Sequence, residues 1–261
     1  MKPPPFVYDA PETLDEALAL LAEHGDDAKI LAGGQSLVPL LNFRLVRPAR
    51  LIDLNRVAGL DGMENGCIRA MTRSRTIERE SELPLLRRAV RFSGHAQIRN
   101  RGTVGGSCAH ADPASELPCA LLALGARFRL RSAQGERVLA TEDFILGTFS
   151  TALAPDELLV DIEVPPRPEG ERSAFVEHAR VHGDFAIAGA AVLRVPGERL
   201  VVSMLGGADR PVRVELRDAG EEAAADAVRD LDPPSDLRAS ADYRRALLEE
   251  LVRRAIREVS V

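Results

Sequence analysis

Two glycine pairs stand where backbone rather than side chain would do the chemistry. Ala32-Gly33-Gly34-Gln35-Ser36-Leu37 lies between a short apolar run and a helical one. Thr103-Val104-Gly105-Gly106-Ser107 repeats the pattern, a glycine pair flanked by hydroxyl residues. A loop of this kind ahead of a helix points free N–H groups outward, and the helix dipole adds partial positive charge. Such a place suits phosphate oxygens, and glycine permits both close approach and positive φ. Two such loops, about seventy residues apart, can clamp opposite flanks of one diphosphate. The alternative is that each is a tight turn, the first leading into a helix capped by Ser36. The residues alone leave both readings open.

Other nucleotide sites are excluded. No G-x-G-x-x-G occurs, so the Rossmann fingerprint is absent. No Gly-Lys occurs, so a Walker A loop is absent too. His110, Asp112 and Glu116 have the composition of a metal set, but Asp112 precedes Pro113 and is pushed out of the helix that follows. Glu116 reads instead as a first-turn residue or as an acceptor for ligand hydroxyls, and no metal is expected. His95, His178 and His182 are scattered, no nucleophile–base pair is visible, and no catalytic residue is named. Gly183-Asp184 before an apolar stretch is a turn into a strand, or a loop with Asp184 folded back on a ligand.

Positioning these loops falls to an α+β chain. The stretch 12–25 is a helix with a Thr13/Glu16 capping box and Gly25 as its stop. A buried strand over 28–31 runs into the first glycine pair, and Pro39 falls in the first turn of the helix after Ser36. Strands are expected at 50–55 and 67–72, a helix around 83–92, a loop over 98–107 and a helix over 114–124. Two alternating runs flank Ala133-Gln134-Gly135 as a hairpin, and 157–165 is a further strand. The proline-rich 165–171 reads as a linker. Beyond it come strands near 174–181, 185–195 and 200–205, a helix over 218–231 and a last amphipathic helix over 240–259. This gives a first domain over 1–168, with parts at about 1–55 and 56–168, and a second over 172–261.

Composition narrows the partners. The net charge of −6 argues against a general nucleic-acid surface. Nothing approaches the roughly 18 apolar residues of a membrane span, and the N-terminus does not read as a secretory signal. A cytoplasmic location is expected. The three cysteines form no C-x-x-C pair and fit reduced thiols. Four thiolates for an iron–sulfur cluster cannot come from one copy of this chain.

Taken together, Ala32-Gly33-Gly34-Gln35-Ser36, Ile98-Arg99-Asn100-Arg101-Gly102-Thr103-Val104-Gly105-Gly106, Ala109-His110-Ala111-Asp112-Pro113 and Gly183-Asp184-Phe185-Ala186 resemble the FAD-binding medium subunit of molybdenum hydroxylases. That family includes the medium chain of carbon monoxide dehydrogenase and the flavin domain of xanthine dehydrogenase. The resemblance implies a two-part vanillyl-alcohol-oxidase-type (PCMH) FAD domain followed by a small α/β C-terminal domain. It implies that Ala32 through Leu37 and Thr103 through Ser107 hold the FAD diphosphate. Glu116 stands where xanthine dehydrogenase-like members carry an Asp against the flavin's polyol or adenosine part. A Leu matching Leu158-Leu159 touches flavin or adenine, and Asp184 belongs to the ligand side. Several members carry a Lys near Glu177; this chain has none there. The implied partners are a small [2Fe–2S] subunit and a large molybdopterin subunit. The implied role is electron transfer to NAD, a quinone or oxygen. A stand-alone flavin oxidoreductase and a flavin-free scaffold subunit are the alternatives.

Overall fold

The computed structural model describes residues 2–197, 199–217 and 222–260. Its strands are β1 (Val7–Asp9), β2 (Ala28–Leu31), β3 (Arg50–Asp53), β4 (Met63–Glu64), β5 (Cys67–Arg69), β6 (Arg127–Ser132), β7 (Gly135–Ala140), β8 (Ile145–Gly147), β9 (Ser150–Thr151), β10 (Leu158–Glu163), β11 (Arg172–His178), β12 (Ala188–Val195), β13 (Arg199–Leu205) and β14 (Val212–Leu216). Its helices are α1 (Leu14–His24), α2 (Leu37–Asn42), α3 (Ser74–Glu80), α4 (Pro84–Ala89), α5 (Ala96–Arg101), α6 (Val104–His110), α7 (Glu116–Leu124), α8 (Thr141–Phe144), α9 (Ala223–Val228) and α10 (Ala241–Ser260).

The first three strands form a parallel sheet in the order β1-β3-β2, with α1 packed against it through Ala17, Leu18 and Leu21. The capping box predicted for α1 is present in full: Glu16 N–H donates to Thr13 Oγ1, and Glu16 Oε2 accepts from the Thr13 N–H. An antiparallel sheet follows in the order β4-β5-β10-β6-β7, and β6 and β7 are the predicted hairpin around Ala133 and Gln134. The third sheet runs β11-β12-β13-β14, antiparallel throughout.

Period-2 alternation decides what the third sheet covers. Phe175, Ala191, Leu193, Val201 and Leu205 face a core shared with α4, α6, α7 and the second sheet. Ala174, Ala190, Val192, Val202 and Met204 face α9 and α10. Helix α7 is buried at every residue because it is apolar on all sides and lies between two sheets. The proline-rich stretch is pinned rather than slack: the Arg167 guanidinium donates to the Leu124 carbonyl at the end of α7 (2.8 Å) and pairs with Glu171.

Three sequence expectations change. The stretch 98–107 is not a loop but the end of α5 and the start of α6, broken at Gly102-Thr103. Helix α3 and strand β14 are additional elements. The helix expected over 218–231 is seen as α9, and its first part, 218–221, lies outside the described residues. Among the described residues, no helix is long and apolar enough to cross a membrane.

Candidate cofactor site

Strand β2 delivers the chain to Ala32, and α2 begins at Leu37. Between them Gly34 adopts φ +74°, the left-handed region that glycine enters without strain. The Gln35 side-chain amide donates to the Gly33 carbonyl at 3.1 Å and tightens the bend. Ser36 occupies the position before the helix, but its backbone is helical (φ −100°, ψ −47°) and its hydroxyl caps nothing. The capping role expected for Ser36 is therefore corrected, since a cap needs an extended backbone to aim its oxygen at the first turn. Among the described residues, the N–H groups of Gly33, Gly34, Gln35 and Ser36 have no protein acceptor. The bend is a row of free donors.

The second glycine pair is built differently. Thr103 is a true cap, its Oγ1 accepting from the Gly106 N–H at 3.1 Å. The Val104 and Gly105 N–H groups donate to the carbonyls of Thr72 (3.0 Å) and Ala70 (2.8 Å). These amides are spent inside the protein. A Cβ on Gly105 would lie 2.6 Å from Ala70 Cβ, so this glycine serves the packing of α6 on the chain leaving β5. Gly106 lies at the edge, where a Cβ would come 2.8 Å from Thr103 Oγ1 and 3.5 Å from Ala32 Cβ. Ser107 Oγ sits 2.7 Å from Ser115 Oγ. The two glycine stretches are thus not mirror images.

They nevertheless meet. A Cβ on Gly33 would fall 2.3 Å from the Arg101 carbonyl oxygen and 2.8 Å from Gly102 Cα. Residues some seventy apart in sequence form one continuous surface of backbone there.

A polar frame that no motif announced surrounds this contact. The Asn55 amide donates to the Ala32 carbonyl (3.0 Å) and to Asp53 Oδ1, and its own oxygen accepts from Arg73. Arg73 also donates to the Arg101 carbonyl, and Tyr8 donates its hydroxyl proton to Asp53 Oδ2. Burial opposes ionisation of Asp53, but the hydrogen bonds from Tyr8 and Asn55 outweigh it and hold the carboxyl below its ordinary value. The same bond pushes the Tyr8 phenol up. Burial, then the neighbouring Arg101 charge, holds Arg73 below the usual guanidinium value. Neither Arg73 nor Arg101 joins an ion pair among the described residues. Two like charges side by side, with Asp53 and Asp61 nearby but ion-paired to neither, suit a bound anion.

The remaining sequence candidates are spread around this centre. Leu37 starts α2 beside the bend. Leu159 is buried in the first core on β10, one residue before Val160, whose carbonyl accepts from the Ala70 N–H. Glu116 opens α7, buried, and accepts from Ser93 Oγ; burial pushes its carboxyl up to about 7. Glu177 on β11 is pushed up to about 8 by burial and by Glu116, and its Oε2 is buried without a partner. Asp184 lies in a turn, its Oδ1 accepting from the Phe185 N–H at 2.8 Å. That turn is fixed against His95, whose ring would lie 2.5 Å from a Cβ on Gly183. His95 stands just before α5, at the end away from Gly102, so Asp184 is not brought onto the glycine contact. No group of three or more His, Cys, Asp or Glu side chains among the described residues is placed to hold a metal.

Residues 4–167 match the family model for the FAD binding domain in molybdopterin dehydrogenase, and residues 216–259 match that for the CO dehydrogenase flavoprotein C-terminal domain. The chain belongs to this FAD-binding family. It is 43% identical to the 6-hydroxypseudooxynicotine dehydrogenase complex subunit alpha of Paenarthrobacter nicotinovorans, over 98% of this chain and 95% of that one. It is 36% identical to the carbon monoxide dehydrogenase medium chain of Hydrogenophaga pseudoflava, over 98% and 97%. The solved carbon monoxide dehydrogenase of H. pseudoflava superposes with a TM-score of 0.92 at 36% identity, covering 100% of this chain and 99% of that one. Quinoline 2-oxidoreductase from Pseudomonas putida 86 superposes with a TM-score of 0.90 at 34% identity, covering 100% and 98%.

The FAD-binding medium subunits of molybdenum hydroxylases are oxidoreductase components, and this chain is one of them. Its cofactor is FAD. The residues present fit that group: free amides at 33–36, a bend that Gly34 shapes through its positive φ, an edge kept clear of side chain at Gly106, and the Arg101 guanidinium, which joins no ion pair among the described residues.

Proposed function

We propose that the chain holds the FAD diphosphate where its two glycine stretches meet, and that it serves as the electron-transfer component of a molybdenum hydroxylase complex. The observation that carries the reading is the row of free N–H groups at Gly33–Ser36 set against Gly102 and Gly106. Backbone N–H groups there donate to no protein acceptor among the described residues, so they are available to phosphate oxygens. Ala32 through Leu37 supply donors, while Thr103 through Ser107 supply a rigid floor with half-buried Gly106 at its edge. Leu159 gives an apolar wall. Glu116 and Asp184, which lie away from the glycine contact, are assigned in this reading to the groups beyond the diphosphate.

When bound, FAD supplies storage of two electrons between one-electron carriers and an acceptor. The protein contributes position and electrostatics. That division fits the absence of a nucleophile–base pair from the sequence. The relatives' names, medium chain and complex subunit alpha, support assembly with other chains. We read those as a small [2Fe–2S] subunit and a large molybdopterin subunit, with NAD, a quinone or oxygen as the acceptor and the cytoplasm as the location. Residues 1–168 form the FAD domain, in parts at about 1–55 and 56–168, and 172–261 the C-terminal domain. The substrate is set by the large subunit.

The test is the absorption spectrum and the copurifying subunits of the natively isolated protein. Near-stoichiometric flavin with an iron–sulfur chain and a molybdopterin chain is the expected result. Turnover of a small substrate by the lone chain would replace this reading with a self-sufficient flavin oxidoreductase. A colourless protein would make it a scaffold subunit.

A further inference from the structure

Arg73 connects both glycine stretches through a single planar group. One guanidinium nitrogen donates to the Arg101 carbonyl, the oxygen against which Gly33 is packed. The other donates to Asn55 Oδ1, and the amide nitrogen of the same Asn55 donates to the Ala32 carbonyl at 3.0 Å. Asn55 is held by Asp53, and Asp53 by Tyr8. The backbone around Arg73 is tied to the second stretch as well: Ser74 N–H donates to the Gly102 carbonyl (2.9 Å), and Val104 N–H to the Thr72 carbonyl (3.0 Å). We propose that Arg73, acting through Asn55, is the positioning residue that fixes the spacing between the two glycine stretches before the cofactor arrives. The proposal rests on the reading that the diphosphate binds where they meet.

The physical need is clear from the bend itself. The N–H groups at 33–36 donate to no protein acceptor among the described residues, so the peptides that carry them are held from the carbonyl side alone, by Asn55 on Ala32, Gln35 on Gly33 and the Val38 N–H on Gly34, and Ser36 provides no cap. A binding loop without such support loses affinity to ordering each time it closes on a ligand. The guanidinium fork supplies that support because it is planar and always charged, and because it reaches two acceptors in fixed directions. Lysine has the charge without the fork.

The experiment is titration of the flavin-stripped full chain with FAD and, separately, with ADP, which shares the diphosphate. Arg73→Ala and Asn55→Ala are each expected to weaken both ligands about 10- to 100-fold, the range for losing hydrogen bonds to a charged group. Far-UV circular dichroism should stay near that of the parent, while the apo thermal midpoint falls by a few degrees, as the loss of internal hydrogen bonds requires. The double variant should lose no more than the worse single, since both residues act in one chain of bonds. Arg73→Lys should recover little. Unchanged FAD and ADP affinity in Arg73→Ala, additive losses in the double variant, or full recovery by Arg73→Lys would each overturn the proposal. Should Arg73→Ala not fold, Asn55→Ala alone carries the same comparison. Failure of the parent chain to bind either ligand would instead overturn the diphosphate reading.

Discussion

At the scale of single residues, the four glycines of the two pairs have four different jobs. Gly33 allows one backbone to rest on another, Gly34 adopts the positive φ of the bend, Gly105 seats α6 on Ala70, and Gly106 keeps the edge facing Ala32 clear. Substitutions should therefore separate. Gly34→Val forces a branched side chain into a left-handed conformation beside Val38 and Leu31, and should abolish flavin retention after gel filtration. Gly106→Val displaces the Thr103 cap and fills the edge, with the same loss of flavin while the chain stays folded. Gly105→Ala should act on stability first, because its Cβ meets buried backbone; a thermal midpoint several degrees lower at unchanged flavin affinity checks it.

At the scale of elements, what could be read from sequence was what local chemistry determines. Thr13 and Glu16 announced α1, the alternation on either side of Ala133 and Gln134 announced the hairpin, and Ser240–Val259 placed α10 to within a residue. The stretch 98–107 reads as a loop because three glycines argue against a helix on propensity. Tertiary bonds override that, through the Thr103 hydroxyl and the carbonyls of Thr72 and Ala70. The frame of Tyr8, Asp53, Asn55 and Arg73 was invisible for a related reason. Its members come from three separated points, Tyr8, the Asp53–Asn55 turn and Arg73, and only the fold brings these together. The most consequential element is α7, whose apolar character was legible but whose place between two sheets was not. Leu121 there is fully buried. Leu121→Ala should cost about 2–5 kcal/mol by deleting contacts and leaving a cavity, read as a lower denaturation midpoint with an unchanged slope.

At the scale of the whole molecule, the seam between α7 and the third sheet carries two acidic groups among apolar neighbours. Glu116 comes from the helix and Glu177 from β11. Ser93, Asp112, Cys119 and Ser203 are the other polar groups of this region. Both carboxyls are raised, to about 7 and about 8, chiefly because burial penalises the charged form. A carboxyl whose folded value lies above its unfolded one binds more protons when folded. Its contribution is fully present below about pH 4.5 and is lost as pH rises through the folded values. The seam should thus weaken between pH 5 and 8, by at most about 1.4 kcal/mol per pH unit for each proton released. Lowered carboxyls such as Asp53 and Glu78 act in the opposite sense at acid pH, so the window above 5 belongs to the seam. Glu177→Gln removes one of the two charges while keeping the shape. Denaturation of parent and variant at pH 5.5 and pH 8 checks this: the variant should match the parent at the lower pH and exceed it at the higher. An equal fall in both proteins would place the pH sensitivity elsewhere.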